Sequence, residues 1–169
     1  MSFSEKDYAE ALKSFEIVQE NGKYLNLVPF YITQIYYFQG QKDKAITAAE
    51  KALKQGDQYY DLELRQLLGH AYFEKEEYQK ALPLLEKYVN SSNKVRREDL
   101  YELSFCYYST GQYNKAISGF KQLSTGQDTL TQNAMYLLGD AYLKTDQKSN
   151  ARSAFLFCSA NSSNQRQKE

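Results

Sequence analysis

The chain of 169 residues has no tryptophan, two prolines, two cysteines and a single histidine. Each scarcity excludes a class of protein. Cys106 and Cys158 are too few for a disulfide framework and lack the spacing of a metal motif. They read as two small, partly buried thiols. His70 is the lone histidine, and no Cys or Asp/Glu cluster accompanies it as a metal site would require. No serine or cysteine motif pairs with it for nucleophilic catalysis, and no glycine-rich phosphate loop is present. The chain is therefore read as non-enzymatic, with no catalytic residue, cofactor or metal assigned. Its 21 basic residues balance 21 acidic ones. A nucleic-acid or anionic-membrane partner would need a positive excess. No apolar run is long enough to span a membrane, and the start, MSFSEKDYAEAL, is amphipathic and unlike a secretory signal. The expectation is a soluble protein, cytoplasmic or of the periplasm and cell envelope.

Few prolines and only eight glycines leave little material for tight turns, so the composition favours helices. What is abundant is tyrosine, at 16 residues, and four of these are periodic. Tyr36, Tyr72, Tyr107 and Tyr142 recur after 36, 35 and 35 residues, and each is followed nine residues later by an alanine: Ala45, Ala81, Ala116, Ala151. A fixed period within about 20–50 residues marks a stacked-repeat protein. Apolar spacing of three and four fills in the helices. Tyr8, Ala11, Leu12, Phe15 and Val18 predict a helix over 7–20, closed at Gly22. Pro29 suits the first turn of a helix over 28–38. Ala45, Ile46, Ala49 and Leu53 predict the next, ending near Gly56. Leu64, Leu67, Leu68, Ala71 and Tyr72 lie on one helix, and Tyr78, Ala81, Leu82, Leu85 and Val89 on another, which Pro83 is expected to kink mildly. Two further helix pairs begin near Arg97 and after Gly126. Two charge runs, Glu74, Glu76 and Glu77 beside a turn and Lys94, Arg96 and Arg97 before a helix, read as solvated.

The segment Leu68-Gly69-His70-Ala71-Tyr72, with Ala81 and Leu85 after it, resembles the tetratricopeptide repeat (TPR). So do Leu138-Gly139-Asp140-Ala141-Tyr142 with Ala151 and Phe155, and Leu103-Ser104-Phe105-Cys106-Tyr107 with Ala116 and Phe120. Ile32-Thr33-Gln34-Ile35-Tyr36 with Ala45 and Ala49 follows the same frame, and Tyr8, Ala11 and Phe15 resemble the second half of a repeat. The resemblance implies an all-α fold, a right-handed α-solenoid of stacked helix–turn–helix repeats. One domain would hold a half repeat over 7–24, repeats over 26–57, 62–92, 97–125 and 132–160, and a frayed polar tail over 161–169. The wording is most similar to long, multi-repeat bacterial members. Two departures stand out: the family's early tryptophan is replaced by Pro29, Arg65, Leu100 and Met135, and its closing proline is absent. Thr33, Gly69, Ser104 and Gly139 are the small residues expected to let each second helix approach its first. The last helix is expected to expose Ala154, Phe155, Leu156, Phe157 and Cys158, and the first lacks a hairpin partner. The reading is of a fragment of a longer array, self-associating through uncapped repeat ends.

In this family the first helices line a concave face on which partner segments lie. Spacing of four and then three places one stripe per repeat there: Phe30, Gln34 and Tyr37; Gln66, His70 and Phe73; Tyr101, Phe105 and Tyr108; Tyr136, Asp140 and Leu143. Exposed aromatics on such a face predict a groove for a protein or peptide partner. Some members clamp a partner's C-terminal carboxylate with lysine and asparagine, and neither occurs at the matching positions here. Two alternatives stay open: a glycan- or small-ligand-binding surface, and an accessory domain of a larger protein.

Overall fold

The computed structural model describes residues 4–20, 22 and 24–168, with side chains as far as residue 161. The described residues form nine α-helices and no strand: α1 (Glu5–Glu20), α2 (Val28–Phe38), α3 (Lys42–Gln55), α4 (Asp61–Glu74), α5 (Tyr78–Ser91), α6 (Arg97–Ser109), α7 (Tyr113–Lys121), α8 (Thr129–Lys144) and α9 (Lys148–Lys168). They fall into two compact units, residues 1–91 with α1–α5 and residues 92–169 with α6–α9. In the first, α2 pairs with α3 and α4 with α5; in the second, α6 pairs with α7 and α8 with α9.

One turn, used four times, explains the nine-residue step from tyrosine to alanine. The backbone N–H groups of Gln41, Glu77, Gln112 and Gln147 donate to the carbonyls of Tyr36, Tyr72, Tyr107 and Tyr142. One residue earlier, Gly40, Glu76, Gly111 and Asp146 donate to Tyr37, Phe73, Tyr108 and Leu143. This pair of bonds is the Schellman closure of a helix, and it requires a left-handed residue after the last turn. Those four residues have φ of +74°, +59°, +78° and +59°. The N–H groups of Ala45, Ala81, Ala116 and Ala151 then donate to the carbonyls of Gln41, Glu77, Gln112 and Gln147, starting the second helix. The frame is thus one Schellman turn followed by one turn of α-helix. All four alanines are buried, and so are Tyr72, Tyr107 and Tyr142, while Tyr36 is half-buried. Lys44, Lys80 and Lys115, each just before its alanine, lie 5.7, 5.3 and 5.1 Å from the rings of Tyr36, Tyr72 and Tyr107.

The small residues of the first helices work as expected. A Cβ on Gly69 would fall 2.9 Å from Cγ of Leu85, and one on Gly139 would fall 2.6 Å from the ring of Phe155. At the third hairpin the closest approach comes from the other side, because Gly119 of α7 sits against Ser104 of α6. Leu64 and Leu85 are fully buried in the first unit, as are Phe120 and Leu123 in the second. Pro29 occupies the first turn of α2, and α5 runs through Pro83 without interruption.

Several expectations need correction. The polar tail is not frayed at residue 161, because α9 continues through Lys168. No proline or glycine interrupts the run, so nothing stops the helix. Nor does the last helix expose all five residues named for it. Ala154 is buried, Phe155, Phe157 and Cys158 are half-buried, and Leu156 is 58 % exposed. Gly139 makes the room that lets α8 cover that face. Part of the charge runs is engaged as well: Glu74, Glu77, Arg96 and Arg97 have partners, while Glu76 and Lys94 are exposed as expected. Arg96 pairs with buried Asp99 at 3.0 Å in a capping box at the start of α6. Arg97 donates to Thr131 Oγ1 at 2.6 Å, tying the start of α6 to α8. Of the two thiols, Cys106 is fully buried, and burial together with the charge of Glu102 pushes it up to about 12. Such a thiol is inert at neutral pH.

Candidate partner-binding ridges

The stripe residues occupy the first helices of the hairpins, and neighbouring first helices meet within each unit, α2 with α4 and α6 with α8. The rings were expected to stand exposed. Most instead lean on one another: of the twelve stripe residues, Tyr136 and Leu143 are exposed, at 62 % and 49 %, and the other ten are half-buried. Aromatic side chains at three- and four-residue spacing on one helix, facing a second helix, find partners before they find water.

In the first unit, the Tyr37 ring lies 5.8 Å from the imidazole of His70. The Tyr37 hydroxyl donates to Glu74 Oε2 at 3.0 Å, Lys42 Nζ reaches the same oxygen at 2.9 Å, and His70 Nε2 lies 3.6 Å from Oε1. Burial alone would raise the Glu74 carboxyl; the Lys42 ammonium, the Tyr37 hydroxyl and the His70 imidazole outweigh it and hold it below its ordinary value. Phe30 is drawn away from this centre to Tyr60, at 4.7 Å, and Phe73 turns to Tyr78 of its own hairpin, at 5.7 Å. Gln66 stays half-buried on α4. Gln34 borders a groove of about 560 Å³ between α1 and α2, walled by Tyr8, Phe15, Tyr31 and Phe38.

In the second unit, Tyr101, Phe105 and Tyr108 form one ladder, with ring centres 6.1 and 6.3 Å apart. The Tyr108 hydroxyl donates to Asp140 Oδ2 on α8. That hydrogen bond, then burial, pushes the phenol up to about 12, since ionising it would set two negative charges side by side. Tyr113, at the start of α7, closes the other side of Tyr108 at 5.7 Å. Tyr136 meets Phe155 at 5.8 Å, and Leu143 stands apart at the end of α8 beside Phe155 and Leu156.

Sequence reasoning missed Glu74, Lys42 and Tyr113. Glu74 was assigned to the solvent although it lies four residues after His70 on the same helix, a spacing that signals contact. Lys42 and Tyr113 meet the ridges only because the Schellman turn brings each second helix back against its first, and no local signal marks them. Among the described residues no group of three His, Cys, Asp or Glu could hold a metal ion. Among the same residues no helix is long and apolar enough to cross a membrane.

Comparison with known proteins bears on the family and the fold. The family model for the anaphase-promoting complex, cyclosome, subunit 3 matches residues 74–158, and a tetratricopeptide repeat model matches residues 34–94. No curated protein matches the sequence. Among solved structures, MamA is 19 % identical, with a TM-score of 0.70 over 99 % of this chain and 99 % of that one. YrrB, described as a TPR protein with an unusual peptide-binding site, is 22 % identical, with a TM-score of 0.75 over 92 % of this chain and 78 % of that one. At these identities the likeness is one of fold: an all-α helical repeat solenoid.

Proposed function

Because the chain belongs to the tetratricopeptide repeat family, we propose that it is a non-enzymatic protein-interaction scaffold holding a peptide or partner segment along its first-helix ridges. The observation that carries this reading is the side-by-side placement of first helices within each unit. Tyr37 bridges α2 to α4 and Tyr108 bridges α6 to α8, so each ridge spans two hairpins. Half-buried aromatics with polar tips can anchor a bound segment with little loss of side-chain freedom. The peptide-binding neighbour has the same fold, which makes the reading consistent with it.

The test is capture of extended peptides from a random display library by the whole chain. Replacing Tyr101, Phe105 and Tyr108 together with alanine is expected to abolish capture while helical content by circular dichroism is retained. Capture that survives the triple replacement would sink the groove assignment. A small-ligand reading is favoured by one feature, the apolar groove between α1 and α2, whose volume falls in the range of ligand sites. Stabilisation by a small molecule that Phe15→Ala removes would support that reading instead.

A further inference from the structure

Among the described residues, Asp140 on the ridge of the second unit has no cationic partner. Asp140 accepts one hydrogen bond, from Tyr108, and makes no ion pair among the described residues. Lys144, four residues further along α8, is not paired with it. An ionised carboxylate offers about four acceptor positions, and Oδ1 meets no protein donor among the described residues. Around it stand aromatic rings. Tyr113 lies 5.7 Å from Tyr108 at an interplanar angle of 71°, and Phe105 lies 6.3 Å from Tyr108 at 53°. Tyr136 lies four residues before Asp140 on α8, a spacing that puts the two on one helix face, and it is 62 % exposed.

Ring faces carry the negative part of the aromatic quadrupole. Several rings and one uncompensated carboxylate therefore give a negative, partly dry surface, and the group complementary to it is a cation with an apolar stem. We propose that this ridge binds a lysine or arginine side chain of a peptide partner, with the cationic head at Asp140 and the stem against Tyr108 and Tyr136. The first unit lacks this property, because Lys42 already fills the corresponding carboxylate's cation position at 2.9 Å. The inference deepens the scaffold reading and rests on it.

The test uses the whole chain and capped heptapeptides that differ only at the central residue: arginine, lysine, norleucine or glutamate. Binding is followed by shifts of the backbone amide resonances of Tyr136 and Asp140. The arginine and lysine peptides are expected to bind at least tenfold more tightly than the norleucine peptide, and the glutamate peptide more weakly still. Asp140→Asn should erase that preference, and Asp140→Glu should keep it, with unchanged melting temperatures for both. Binding of norleucine as tight as arginine, or a preference that survives Asp140→Asn, overturns the inference and leaves the scaffold reading standing. If no peptide of the panel shifts either resonance, the inference falls. Peptides captured from the random library through Tyr101, Phe105 and Tyr108 would still support the scaffold reading alone.

Discussion

The two units solve the same packing problem and present different chemistry. In each, a tyrosine one position after the frame tyrosine, Tyr37 or Tyr108, reaches a carboxylate on the first helix of the next hairpin. In the first unit that carboxylate is Glu74, and Lys42 and His70 surround it. In the second it is Asp140, whose one side-chain partner among the described residues is Tyr108. His70 and Asp140 stand at the same place in their repeats, two residues before a frame tyrosine. The lesson is that the frame positions set the stack, while residues two positions to either side of the frame tyrosine, Glu74 after Tyr72 and Asp140 before Tyr142, set the charge of the ridge.

The comparison is sharpened most strongly at the helix crossings. Gly69 meets Cγ of Leu85, which is fully buried and has nowhere to turn. Gly139 meets the ring edge of Phe155, which is half-buried and can swing outward. Gly69→Ala is expected to cost about 1–3 kcal/mol by overpacking, offset by up to ~1 kcal/mol of helix propensity. Gly139→Ala should be close to neutral in denaturant unfolding. Equal losses at the two sites would mean that Leu85 and Phe155 yield alike.

A smaller effect tests the shared turn. Glu76 and Asp146 adopt φ of +59°, where Gly40 and Gly111 sit in the equivalent turns. Side chains with a Cβ are strained there, while glycine is not. Glu76→Gly in the first unit and Asp146→Gly in the second should each raise stability by about 0.5–1 kcal/mol, less the entropy that glycine adds to the unfolded chain. A gain at only one of them, read from melting temperature, would mean that the two turns are not equivalent.

The smallest effect belongs to the polar centre of the first unit. The folded Glu74 carboxyl lies below its ordinary value. Its contribution is therefore present above the unfolded pKa of about 4.3 and fades as pH falls through the lower folded value. Glu74 is partly open to solvent, which keeps the contribution small. Melting temperatures of the parent and Glu74→Gln should differ at neutral pH and converge in the acid range below about pH 4. A difference that persists there would remove the ion-pair explanation.

Much of the scaffold was legible in the order of residues. Tyrosine-to-alanine spacing, the small residues opposite Leu85 and Phe155, and Pro29 at a helix start are local or periodic signals. A helix or a Schellman turn is decided by residues within a few positions of one another. The state of the ridge was not legible in the same way. A stripe of aromatics read as exposed became a half-buried ladder in which Phe30 turned to Tyr60 and Phe73 to Tyr78. Which ring meets which, and whether a carboxylate finds a lysine, depends on helices brought together by turns tens of residues apart. The sequence by itself determined the repeat, its turn and the helix faces, because backbone hydrogen bonding and apolar periodicity act over short range. Only the tertiary structure decided that Glu74 meets a lysine and that Asp140, among the described residues, meets none, because a side chain's charged neighbours are the ones that packing delivers.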